Sequence, residues 1–376
     1  MHSFFYSVES DEPDLITRSI CERNNETELF RLIQTDQWDT KKLVEFNSLT
    51  IMPHRKLTYI ELAVMERVVD FVPPSEIEEK THVNNPDIRL VDALLESYKR
   101  QYLVSPDLTG IVYHSLLYGD IYLLDLLQKK YNVDFNLKYA TRFAVACKND
   151  NASLSVLKFL QANSVLRYNE IKHDIPEDNR LIGDPGAISG MHYDFPLEVA
   201  IKENNISSAL FLANLDNSRN TLFAAGRCID VMSGQGGVTV DTEEFTTLVR
   251  FILREGFILN VSRMYFLAVL EGRLRLAIAL VEELSKTNDR RYMVIFRKYI
   301  AGLEEEKIPP GVFTNTQLYL LTTPPNEIVR QLTLERDRTA QILFQEYPIF
   351  NLNLWREVYS YVDQELYDYL YILNNL

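Results

Sequence analysis

Apolar positions along this chain recur in short helical stripes that come in pairs, each pair divided by a polar turn. In Tyr193 to Leu212, YDFPLEVAIKENNISSALFL, the residues Leu197, Ala200 and Ile201 share one helical face. After the KENN turn, Ile206, Ala209, Leu210 and Leu212 share another. Pro196 suits the first turn of a helix, where its missing N–H costs little. The same pattern returns at Gly110 to Leu127 with Gly119-Asp120 as the break, at Thr141 to Leu160 with KNDN as the break, and at Arg263 to Leu280 with Gly272 as the break. One such helix pair cannot bury both of its stripes alone. Stacked pairs bury them against neighbours, and Ala63, Ala144, Ala200 and Ala268 allow close helix approach.

The spacing from Gly110 to Thr141 is 31 residues (141 − 110). That period points to an ankyrin-like unit of roughly 33 residues rather than a HEAT unit of roughly 40. The residues carry the likeness further. Phe195 to Leu212 follows the helical part of the ankyrin consensus without a gap, with Pro196-Leu197 at its Pro-Leu, Ala200 at its first helix alanine and Asn204 at its glycine. Thr247 to Asn260, TLVRFILREGFILN, reads as a second helix running into the closing turn, with Gly256 and Asn260 in place. Asn136 closes a comparable segment, Leu29 to Ile33 and Leu90 to Leu95 read as earlier second helices, and Thr58 to Ala63, TYIELA, is similar to the start of a unit. The chain therefore resembles a divergent ankyrin-repeat protein over residues 14–286. No unit carries the complete consensus start, and long insertions at 68–87, 166–194 and 229–243 split the pattern.

The resemblance implies an all-α fold, an α-solenoid of helix-turn-helix repeats with insertions. Residues 1–13, acidic and Ser-containing, would form an N-terminal tail or cap. The prolyl breaks LEEEKIPPG and TTPPNE set off 287–376 as a helical C-terminal region packed on the array, with a last degenerate unit near 340–376.

Composition narrows the function. Hydrophobic residues make up 46% and charged residues 24%, the balance of a folded chain. Asp plus Glu number 53 against 39 Lys plus Arg, a formal charge of −14, which repels phosphate backbones and argues against nucleic acid as partner. The cysteines Cys21, Cys147 and Cys228 lie far apart with no CxxC, so a reducing, cytoplasmic compartment fits. The acidic start MHSFFYSVESDEPD is not a secretory signal, and no apolar run reaches the roughly 18 residues of a membrane helix.

Signs of catalysis are weak. SGQGG at 233–237 and GDPGAISG at 183–190 lack the lysine and the strand of a phosphate-binding loop and read as flexible loops. Cys147 sits in an apolar helix, where packing explains it. His173 and His192 share the 166–194 insertion with several aspartates, but at no metal-ligand spacing, and no cofactor is implied. Glu304 to Glu306 reads as a solvated helix face. What the resemblance implies is a scaffold that binds another protein through its concave face and insertion loops. The acidic loops favour a partner with a basic surface. A secreted effector acting on host proteins, of bacterial or viral origin, fits the divergence. Tyrosines are good interface anchors, so Tyr113, Tyr118, Tyr122, His192, Tyr193 and Asp194 are the candidate contact residues. The other class of function would be an enzyme with its site in the C-terminal region or the 166–194 insertion.

Overall fold

The computed structural model describes residues 26–35, 43–46, 55–65, 67–69, 82–83, 88–104, 106–147, 149–168, 195–216, 218–234, 242–258, 260–305 and 313–346. These residues are mostly helical. The chain divides between Asn217 and Ser218 into two compact units. That division falls inside the segment that the repeat pattern presents as one array, not at 286/287.

In the first unit α1 (Glu26–Gln34) is followed by a two-stranded antiparallel ribbon, β1 (Leu43–Phe46) with β2 (Arg55–Thr58), in which Leu43 faces Thr58. An all-helical reading does not foresee this ribbon. Then come α2 (Tyr59–Met65), the short antiparallel pair β3 (Val68–Val69) and β4 (His82–Val83), and α3 (Arg89–Tyr102). The insertion expected at 68–87 is thus closed at its base by strand pairing. Three helix pairs complete the unit: α4 (Thr109–Tyr118) with α5 (Ile121–Tyr131), α6 (Ala140–Val145) with α7 (Asp150–Ala162), and α8 (Pro196–Lys202) with α9 (Ile206–Leu215). The first helices pack in the order α4, α6, α8 and the second helices in the order α5, α7, α9.

The second unit repeats this layering. Its helices are α10 (Arg219–Gly234), α11 (Glu243–Arg254), α12 (Val261–Leu270), α13 (Leu274–Thr287), α14 (Arg291–Glu305), α15 (Asn315–Thr322) and α16 (Pro325–Glu346). First helices α10, α12 and α15 pack in sequence, as do second helices α11, α13 and α16. α14 stands outside the alternation and lies against α12 and α15. The insertion expected at 229–243 is corrected here. Leu222, Ala225 and Ile229 continue one buried stripe, so α10 runs on to Gly234 and α11 already begins at Glu243. The pair α15–α16 also places a helical unit at 315–346, earlier than the one expected near 340–376, whose last residues lie outside the described ones.

Local chemistry sets the turns. Between the helices of three pairs the chain takes a left-handed residue: Gly119 (φ 73°), Asn204 (φ 59°) and Gly272 (φ 73°). A second set closes the second helices: Leu103, Asn132, Ser164, Gly256 and Asn288. Asn132 to Ser164 spans 32 residues (164 − 132), and Gly256 to Asn288 also spans 32 (288 − 256). Glycine and asparagine tolerate this conformation at least cost, which is why they punctuate the sequence. Helix starts are capped as regularly. The amide of Glu61 donates to Thr58 Oγ1 while the Thr58 amide donates to Glu61 Oε2 (3.2 and 2.8 Å), and Thr314 with Gln317 repeats the reciprocal pair before α15 (3.1 and 2.9 Å).

Polar latches join each pair to its neighbour. Asn205 Nδ2 donates to the carbonyls of Val145 and Cys147 at the end of α6 (2.7 and 2.5 Å). Gln317 Nε2 donates to those of Val269 and Leu270 at the end of α12 (3.0 Å each). Both side chains reach carbonyls at helix C-termini, where few intrahelical donors remain, although that of Val269 also accepts from the Gly272 amide. At the opposite pole, the Asp150 carboxylate accepts from the amides of Ser207 and Ser208 in the first turn of α9 (2.8 and 3.0 Å).

Candidate binding surface

Tyrosines offer interface area at small entropic cost, and the fold sorts them by exposure. Tyr113 is corrected: it is buried, its hydroxyl donates to the Lys138 carbonyl at 2.6 Å, and its ring lies 4.6 Å from that of Phe143. It ties α4 to the turn before α6 and presents nothing outward. Tyr118 is half-buried, with its ring 4.5 Å from the His114 imidazole. Burial, and next to it Cys147, push the Tyr118 hydroxyl above its ordinary pKa. Tyr122, in the first turn of α5, is 54% exposed and keeps its candidacy. His192, Tyr193 and Asp194 lie outside the described residues, as do His173, Cys21 and the loop at 183–190.

The concave face expected from the repeats would be built by the first helices. In the first unit those helices offer almost no surface. Every residue from Ala140 to Cys147 is buried, as are Pro196 to Ile201 of α8 and Ile111 to Leu116 of α4. Even Arg142 retains only 1% of its exposure. His114 is enclosed with them, and desolvation lowers its pKa to about 3, so the imidazole is neutral. Cys147 is buried, consistent with packing.

The second unit differs. Here the first-helix layer keeps an open stripe on each helix. On α10, Arg219, Phe223 and Arg227 are exposed at a spacing of one helical turn. On α12, Arg263 is exposed, with Leu267 and Leu270 half-buried on the same stripe. On α14, Tyr292 and Phe296 are buried, while Arg291, Val294, Arg297 and Lys298 face away, at 52% exposure for Val294. Rings fix α14 in place: Tyr292 meets Tyr265 edge-on at 4.7 Å, and Tyr299 lies between Phe266 (5.5 Å) and Phe313 (6.2 Å). The Tyr265 hydroxyl donates to the Leu320 carbonyl of α15 at 2.9 Å.

On α10, α12 and α14 the sequence places Arg219, Arg227, Arg263, Arg291, Arg297 and Lys298 against Asp230, Glu304 and Glu305. On α11, α13 and α16 the signs are mixed, with Glu243, Glu244, Glu282, Glu283, Glu327, Glu335 and Asp337 among arginines and lysines. Arg291 is tied to Asp289 (2.7 Å), but no carboxylate among the described residues pairs with Arg297, Lys298 or Arg263. Sequence reasoning misses this surface. Its signal is present in the period of Val294, Arg297, Lys298 and Ala301, but the net acidity of the whole chain draws attention away from one short basic stretch.

Among the described residues no cluster of His, Cys, Asp and Glu is placed to hold a metal ion, and no helix is long and apolar enough to cross a membrane. No protein-family model, no curated protein and no solved structure matches the chain.

Proposed function

We propose that the chain is a protein-binding scaffold built on ankyrin-like helix pairs, and that it works by presenting a rigid surface to another protein. The observation that carries this reading is the alternation of contacts within each unit, first helix on first helix and second on second, with left-handed turns 32 residues apart. Nearest-neighbour packing of this kind makes extended surfaces rather than deep enclosed sites. The three partial unit starts at Thr58, Phe195 and Thr314 add to it, since each places an acceptor three residues on that takes the amide hydrogen of the first (Glu61, Glu198, Gln317). The insertions do not simply decorate an open concave face. α14 lies against α12 and α15 of the second unit, and its outer side adds to the presented surface.

The test is capture of partners on the immobilised full chain, beside a variant with Phe223→Asp and Val294→Asp. Both positions are exposed, so the fold should survive, as checked by an unchanged melting temperature. A protein held by the parent and lost from the variant is expected. A chain that holds no protein overturns the reading.

A further inference from the structure

We infer that α14 is a built-in occupant of an apolar groove on α12 and the start of α15, and that an amphipathic helix of a partner protein displaces it to dock there; this rests on the scaffold reading above. α14 is not needed to continue the repeat. From the closing residue Gly256 the chain reaches its next first helix, α12, in 5 residues (261 − 256). From Asn288 it takes 27 to reach α15 (315 − 288), and α14 fills that interval. Its anchors are Tyr292, Phe296 and Tyr299, at i, i+4 and i+7, which share one helical face. Tyr292 meets Tyr265, Phe296 meets Phe313 at 5.6 Å, and Tyr299 meets both Phe266 and Phe313. Aromatic or aliphatic anchors at this spacing, laid into an apolar groove, are how one protein captures a helix of another. Here both halves of such a complex belong to one chain. The chemistry of the competing helix is read from α14 itself: an aromatic side chain at i, i+4 and i+7.

Local stability singles out α14 as the part that leaves. Of its described side chains it buries Tyr292 and Phe296, where α12 buries Ser262, Met264, Tyr265, Phe266, Ala268 and Val269. α12 is also held by α10 and α13, while α14 packs on α12 and α15 and leaves Arg291, Val294, Arg297 and Lys298 exposed. An element with few buried contacts opens at a lower free energy than the core beside it. Lifting α14 brings Tyr265 and Phe266 into water from 0% and 5% exposure, so the open form stays minor until another apolar helix covers them. The Tyr292 hydroxyl donates to the Thr323 carbonyl, a tie that a tyrosine at the same place in a partner renews.

The experiment uses the full chain and a synthetic peptide copying residues 289–305. Amide hydrogen exchange of the chain alone should show α14 exchanging about tenfold or more faster than α12. Excess peptide should speed exchange in α14 further and leave α12 as it was, because the peptide takes the groove. A peptide with serine at the three anchor positions should do neither. The pair Y292A/F296A weakens the built-in occupant and should bind the labelled peptide about tenfold more tightly than the parent. Exchange in α14 no faster than in α12, equal action of the serine peptide, or equal peptide affinity of parent and folded variant each overturns the inference. Should the variant not fold, the exchange measurements on the parent decide alone. A chain that gives the expected responses yet captures no protein sinks the scaffold reading, whereas one that captures a protein while α14 stays as protected as α12 sinks this inference only.

Discussion

Arg67 and Asp120 face each other across 53 residues of sequence in a two-pronged ion pair, Nε to Oδ2 at 2.7 Å and Nη2 to Oδ1 at 2.9 Å, with side-chain exposures of 3% and 2%. The same Asp120 caps α5 by accepting from the Leu123 amide at 3.0 Å. One carboxylate thus fixes the turn between α4 and α5 and binds it to a residue just past the end of α2. Removing one partner takes away the buried counter-charge of the other. Asp120→Ala and Arg67→Ala are each expected to cost about 3–5 kcal/mol in urea-unfolding free energy. The double change should cost less than the sum of the two. Full additivity would show that the two residues do not act as a pair.

Three glycines separate backbone strain from steric clash. Gly272 has φ 73° with open space where a Cβ would stand, so Gly272→Ala should cost only the left-handed penalty, about 1–2 kcal/mol. At Gly119 a Cβ would also meet Ala152 Cβ at 2.5 Å. Gly119→Ala should therefore cost clearly more than Gly272→Ala. Gly226 lies inside α10, where alanine is otherwise favoured by about 1 kcal/mol. Its Cβ would meet the Phe257 carbonyl oxygen at 2.4 Å, so Gly226→Ala should destabilise despite its helix propensity. Melting temperatures of the three variants give the order, and a stabilised Gly226→Ala would refute the close packing of α10 on that loop.

His114 makes stability depend on pH in one direction. Its folded pKa of about 3 lies below the ordinary value of 6.5, so between these values the unfolded chain binds one more proton. The contribution is fully present above pH 6.5 and is lost as pH falls toward 3. From about pH 7 to about pH 5 this group alone should remove about 2 kcal/mol. Denaturant titrations at the two pH values should show that slope in the parent and a shallower one in His114→Gln. Identical slopes would mean that His114 is not buried neutral.

Gln317 offers a test that opposes local and tertiary rules. By helix rules alone, Gln317→Glu in the first turn of α15 should be neutral or helpful, since a carboxylate suits the helix N-terminus and still completes the cap. Here the amide also donates to Val269 and Leu270. A carboxylate cannot donate, so the Leu270 carbonyl loses this partner while that of Val269 keeps the Gly272 amide, and Gln317→Glu should cost about 1–3 kcal/mol in unfolding free energy. No loss on substitution would show that the latch between α12 and α15 contributes nothing.

Much of the helix order is legible in the sequence because it follows from one pattern. The stripes of Leu197, Ala200 and Ile201, the breaks at Gly119, Asn204 and Gly272, and the turn at Gly256 lie where the periodicity puts them. Those positions are governed by interactions a few residues apart. The ribbon of β1 and β2 escapes such a reading because its backbone pairing is not written in either strand's own pattern. The reach of α10 past Ile229 escapes it too, since Ser233 and Gly234, poor helix formers, still close the helix. Exposure is the least legible quantity. Tyr113 and Tyr122 look alike in sequence, yet one closes a hydrogen bond inside the fold and the other stands in solvent. The exposed basic stretch of Arg291, Arg297 and Lys298 is equally hidden, since charge summed over a chain says nothing about where along it a helix is basic.

The complete enclosure of Ala140 to Cys147 has a consequence for how this protein can change over generations. A helix with one wet side leaves many of its positions free to drift, but this stretch leaves none. Alleles altered there should vanish from a saturation library selected for folded product, as a continuous blank beside the tolerant record of Arg291, Val294, Arg297, Lys298 and Ala301. Novelty in such a lineage would have to accumulate on α14 and its neighbours, leaving the enclosed stretch as the part that stays still.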